Sequence, residues 1–124
     1  MVAGCGGGGG GEKASKPVAD RAQAAASVVS QLERATAKHD YVTICDDLLT
    51  AGERSQAGGS ECPRLMAARA QGVAYPRIQI RRIELTPNGA LVHVETTASG
   101  QARAGDVIRL VLERGRMRIA SLGR

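Results

Sequence analysis

Two groups of side chains in this sequence have the types that chemistry needs. The first is His39, Tyr41, Cys45, Asp46 and Asp47, five residues within nine positions. An imidazole, a thiol and two carboxylates this close are the raw material of a metal centre, which takes three or four clustered ligands. The second is His93 with Glu95, two apart on a stretch that alternates like a strand and so on one face. An imidazole beside a carboxylate can move protons, with Tyr41 or Tyr75 as partner where the fold brings one into reach.

Each group also has a plainer reading. His39 suits the C-terminal end of a helix, where the dipole favours it, and Tyr41 suits a core or rim position. Cys45 falls among apolar residues, where a structural cysteine sits. His93 and Glu95 suit a solvated cross-strand position. No second ligand cluster accompanies the first, so no metal or other cofactor is expected. The remaining carboxylates of the strand region, Glu84, Asp106 and Glu113, form no facing pair of the kind proton transfer requires. No catalytic residue is therefore expected. Gly6–Gly11 is a glycine run without the Lys-Ser/Thr that would make it a phosphate cradle.

The elements that must position these groups are bounded by composition. A chain of 124 residues holds one domain and at most a tail. With 43% hydrophobic residues but no Phe, no Trp and two Tyr, its core must be aliphatic. Such a core buries less area per side chain and gains more than most from a covalent staple. The net charge of +5 is concentrated late, with nine Arg against four acidic residues from position 73 onward. Arg77, Arg81, Arg82 and Arg109 are the candidate anion-binding set, for phosphates or an anionic polymer; their plainer reading is a solvated sheet face. Nucleic acid is not an expected partner, because single-strand binders stack bases on sheet aromatics that this chain lacks. Nothing approaches the ~20 consecutive apolar residues of a spanning helix.

Periodicity divides the chain in two. Val18, Ala22, Ala25, Val29, Leu32 and Thr36 recur at steps of three and four, predicting a helix from Pro17 to about Lys38. Asp40 caps a second helix carrying Tyr41, Ile44, Cys45, Leu48 and Leu49 on one face and ending at Gly52. Glu53–Gly59 reads as a loop. Ser60-Glu61-Cys62-Pro63 starts a short third helix, with Leu65, Met66 and Ala70 inward and Gly72 as its stop. Beyond it lie four strands. In the first, Ile78 and Ile80 share one parity while Ile83 and Leu85 share the other, so Arg81-Arg82 marks a β-bulge. Thr86-Pro87-Asn88-Gly89 is a turn. The return strand spans 90–98, with Val92, Val94 and Thr96 on one face. Ile108, Leu110 and Leu112 line the third strand (107–113), and the fourth spans 117–122.

Val2-Ala3-Gly4-Cys5 resembles a bacterial lipobox, the end of a lipoprotein signal peptide. The resemblance implies that Cys5 carries lipid and tethers the protein to the cell membrane, outside the cytoplasm. Only four residues precede Cys5, so the charged and apolar parts of such a signal would lie upstream of Met1. Gly6–Lys16 then serves as a flexible hydrophilic tether. With Cys5 lipidated, Cys45 and Cys62 remain as a pair from an odd count of three. A bridge between them is worth about 3 kcal/mol in the chain-entropy model and persists only in an oxidising compartment.

The element order, the junction His39-Asp40-Tyr41, the pair Cys45 and Cys62-Pro63, and the ending from Val111 to Leu122 are similar to the nuclear transport factor 2-like superfamily in its bacterial lipoprotein form. The resemblance spans 17–122 and implies an α+β cone. In it, three N-terminal helices pack on a curved four-stranded antiparallel sheet, with a cavity at the wide end. Two departures stand out. Met117 sits where such endings commonly carry an aromatic, and no strand is evident between the second and third helices. The expected function is a non-catalytic domain that binds an envelope protein or a small hydrophobic ligand. Two rivals remain open: an isomerase or cyclase using His93 with Tyr41 or Tyr75, and a cytosolic binder of anionic polymers.

Overall fold

Ala25, Val28, Val29, Leu32 and Ala35 recur at helical spacing, and all five are buried on one face of α1 (Gly9–Ala37). The computed structural model describes residues 9–71, 74–99 and 102–122. The stripe is shifted from the expected one: Val28 and Ala35 join it, while Ala22 and Thr36 are half-buried at its margins. The side chain of Val18 lies outside the described residues. The helix also starts earlier than expected, at Gly9, so Pro17 is interior and cannot be the first helical residue. Glu12, Lys13 and Ala14 are good helix formers and carry the extension past it. The segment 9–16 is thus part of the helix.

His39 stops α1 in the left-handed conformation, at φ 58°. Its N–H donates to the Thr36 carbonyl at 3.1 Å, and the Asp40 N–H to the Ala35 carbonyl at 2.7 Å. These two bonds make a Schellman cap, usually closed by glycine. Asp40 at once caps the next element, α2 (Tyr41–Thr43), its carboxylate accepting from the N–H of Thr43 at 3.2 Å and its hydroxyl at 2.7 Å. The chain then widens into a π-turn, Ile44–Leu48, closed by the Leu49 N–H on the Ile44 carbonyl at 3.0 Å.

Two expectations fail after this point. Gly52 does not end a helix, and Glu53–Gly59 is not simply a loop: α3 (Ala51–Gln56) occupies most of it. Thr50 caps α3 with its hydroxyl, which accepts the Glu53 N–H at 3.0 Å. A 3₁₀ turn, Gly59–Glu61, leads into α4 (Cys62–Arg69), which has Pro63 in its first turn. Gly72 lies outside the described residues. The described chain thus has four α-helical segments where three were expected.

Strands β1 (Ala74–Thr86), β2 (Gly89–Ser99), β3 (Ala104–Glu113) and β4 (Arg116–Leu122) form an open antiparallel sheet in chain order. The register of β1 on β2 slips between Ile80 and Arg82, the bulge expected at Arg81-Arg82. It lets Ile78, Ile80, Ile83 and Leu85 all pack against the core. At the turn, Gly89 is required, since a Cβ there would run into the Leu110 carbonyl. Ala90, Val92, Val94, Ile108, Leu110, Met117 and Ile119 complete the core beneath α1. Leu112 shares their parity but is 42% exposed.

α1 runs antiparallel to β1 and is tied to the sheet at two places. Arg21 donates to the carbonyls of Thr86 and Gly89, and the Glu33 carboxylate accepts the Ile78 N–H at 2.6 Å. The far edge, β4, is met by the helical half through Arg118, which donates to the carbonyls of Asp46, Asp47 and Leu49, and through Ile119. There Leu49 pairs with Ile119 in a parallel bridge, and the Thr50 N–H donates to the Ile119 carbonyl at 2.9 Å.

Candidate functional site

Cys45 and Cys62 form a disulfide, with both residues fully buried and their Cα atoms 6.1 Å apart. It joins the π-turn to the first turn of α4. Ile44 precedes Cys45, and Met66 lies one helical turn beyond Cys62, so the bridge sets those two side chains relative to each other. The Met66 Sδ lies 3.7 Å from the Cys45 Sγ.

Ile44 and Met66 are two walls of a cleft of about 330 Å³. Leu32 of α1, Ile78 of β1 and Leu122 at the end of β4 supply the others, with Thr36, Tyr41, Arg69 and Ala70 at the margins. The Thr36 hydroxyl donates to the Leu32 carbonyl at 2.7 Å and is satisfied within its own helix. The Tyr41 hydroxyl is 3.1 Å from the His39 Nδ1. The cleft is therefore an open, mainly apolar depression with few polar groups at its edge, the kind of lining small-molecule sites have.

The first sequence cluster is dispersed by the fold. Cys45 is in the disulfide, Asp46 pairs with Arg54 at 3.0 Å, His39 turns to Tyr41, and Asp47 is exposed. Among the described residues no three His, Cys, Asp or Glu side chains are grouped to hold a metal.

The second cluster re-pairs. His93 does not meet Glu95: its Nε2 is 2.7 Å from Glu84 on β1, with Arg82 at 3.3 Å. The Glu84 carboxyl is held below its ordinary value by the hydrogen bond with His93 and by the Arg82 charge. Cross-strand geometry decides this partner, since Arg82 stands opposite His93 and Glu84 lies two residues further along β1. His93 shares strand parity with Glu95, opposite to Val92 and Val94, whereas Tyr41 packs against the core. The sheet thus separates His93 from Tyr41. The side chain of Tyr75 lies outside the described residues.

The four candidate arginines do not form one site. Arg77 and Arg81 line a polar groove of about 490 Å³ with Arg103, Glu33 and Glu95. There Arg81 meets Glu95 at 2.5 Å, Arg103 meets it at 3.9 Å, and Arg77 meets Glu33 at 3.8 Å. Arg82 belongs to the Glu84 pair at 3.7 Å. Arg109 stands across from Leu91 and Ser121, in mid-sheet.

Cys5 lies outside the described residues, and among those described no helix is long and apolar enough to cross a membrane. Comparison with protein-family models, with curated proteins and with solved structures returned no match.

Sequence reading missed the cleft as such, because its walls come from five elements. One signal pointed to part of it: a cysteine pair fixes what lies beside each cysteine, here Ile44 and Met66.

Proposed function

We propose that this chain is a lipid-anchored protein of the cell envelope whose domain binds a small apolar ligand and does no chemistry on it. The observation that carries the reading is the cleft bounded by Leu32, Ile44, Met66, Ile78 and Leu122. Its walls offer burial, while the His93–Glu84 pair lies on the other side of the sheet. The buried bridge fits an oxidising compartment, and Val2-Ala3-Gly4-Cys5 resembles a lipobox. Together they favour an extracytoplasmic domain attached through Cys5. The layout of α1 across an open sheet, with the cleft near its C-terminal end, fits the cone implied by the nuclear transport factor 2-like resemblance.

The test uses a neutral, environment-sensitive naphthylamine dye. Its emission rises on binding to the oxidised protein and falls again when decanol displaces it. Met66→Glu abolishes the rise while the circular dichroism and unfolding temperature stay close to those of the parent. Equal dye binding by the variant refutes the reading. Protein recovered from its native host carries no free thiol at Cys45 or Cys62; two free thiols there refute export.

A further inference from the structure

We infer that the ligand of this cleft is a single-chain amphiphile with a carboxylate head, lying tail inward with its head on Arg69. The inference rests on the cleft being a binding site and names the class of ligand it takes. Arg69 is the one charged residue among those lining the cleft. It stands in the last turn of α4, where the helix dipole favours a cation, and it is exposed at the rim. It meets no carboxylate among the described residues. Its neighbours in the helical half differ: Arg54 is paired with Asp46 and Arg64 with Glu61. On the sheet, Arg77 and Arg81 are paired too. Other described arginines also lack an ion pair, Arg21, Arg34, Arg109, Arg114 and Arg116, but none of them lines this cleft. A guanidinium without a carboxylate partner therefore stands at the rim of an open apolar cleft.

The charge and the size select the head and the tail. One guanidinium neutralises one carboxylate in a planar, two-pronged contact. A phosphate monoester carries between one and two negative charges at neutral pH, and the lining holds no second cation for it. A volume of about 330 Å³ is near the lower end for ligand pockets, which suits one alkyl chain and not a two-chain lipid.

Decanoate, decanol, decyl phosphate and decyltrimethylammonium, each below its micellar concentration, are titrated by dye displacement into the full-length oxidised chain at neutral pH. Decanoate binds about tenfold more tightly than decanol, as expected for one charge-assisted contact at a partly solvated rim. Decyltrimethylammonium binds most weakly. Arg69→Gln brings decanoate to the level of decanol and leaves decanol unchanged; Arg69→Lys falls between. Equal binding of decanoate and decanol, with no effect of Arg69→Gln, overturns the assignment of the head while leaving the apolar cleft in place. Tighter binding of decyl phosphate overturns the choice of carboxylate. Failure of all four to displace the dye overturns the cleft itself.

Discussion

The Glu33 carboxylate accepts the backbone N–H of Ile78 at 2.6 Å, so a helix side chain occupies a hydrogen-bonding group on the free edge of β1. This bond fixes Ile78, a wall of the cleft, against Leu32, which lies one residue before Glu33 on α1. Removing the acceptor with Glu33→Ala leaves a half-buried N–H without its partner and costs about 1–3 kcal/mol. Glu33→Gln keeps an oxygen in place and costs less. Urea denaturation of both variants checks the order, and equal losses would contradict it.

The disulfide closes a loop with a sequence separation of 17. Replacing both cysteines by alanine is expected to lower stability by about 3 kcal/mol. Reduction of the parent produces a comparable drop in unfolding midpoint. Because the bridge also sets Ile44 against Met66, dye binding weakens on reduction before the domain unfolds. Undiminished dye binding after reduction would separate the bridge from the site.

Arg114 is held at φ 54° beside Gly115 at φ 79°, the pairing of a turn that prefers asparagine at its first central position. A left-handed arginine costs roughly 1–2 kcal/mol of backbone strain. Arg114→Asn is therefore expected to raise stability by up to about 1 kcal/mol, read as a higher unfolding temperature. A fall would show that Arg114 makes contacts that outweigh the strain.

Glu84 gives a pH dependence of known sign. His93 and then Arg82 hold its carboxyl below the ordinary value. A depressed carboxylate stabilises the fold at pH values above its unfolded pKa, about 4.3, and loses that contribution as the pH falls through the folded value. Glu84→Gln is thus expected to unfold at a lower temperature than the parent at pH 7. The gap closes as the solution is acidified below about pH 4. A gap unchanged down to pH 3 would contradict the pairing.

Much of the scaffold was legible because local chemistry determined it. The phase slip around Arg81-Arg82 became a register shift, Thr86–Gly89 became a turn, Asp40 capped its helix, and Cys45 met Cys62. Gly52 reads as a helix stop and masks α3, though Thr50 with Glu53 three residues on is a capping signature readable in the sequence. Leu112 follows the alternation yet is exposed, since parity sets which face a side chain takes and not whether anything covers it there. His93 meets Glu84, its diagonal cross-strand neighbour, while Glu95 is taken by Arg81, a pairing set by the bulge and not by the alternation. The cleft joins Leu32, Met66, Ile78 and Leu122 across the chain, so only packing could reveal it.

The central claim is that the cleft is where this protein binds. Its most direct measurement is a methyl-resolved magnetic resonance titration of the oxidised protein with decanoate. The account predicts shift changes concentrated on the methyl groups of Leu32, Ile44, Met66, Ile78 and Leu122, saturating with a single affinity. Shifts confined to the groove around Arg77, Arg81 and Arg103, or no shifts up to the solubility of the ligand, would contradict it.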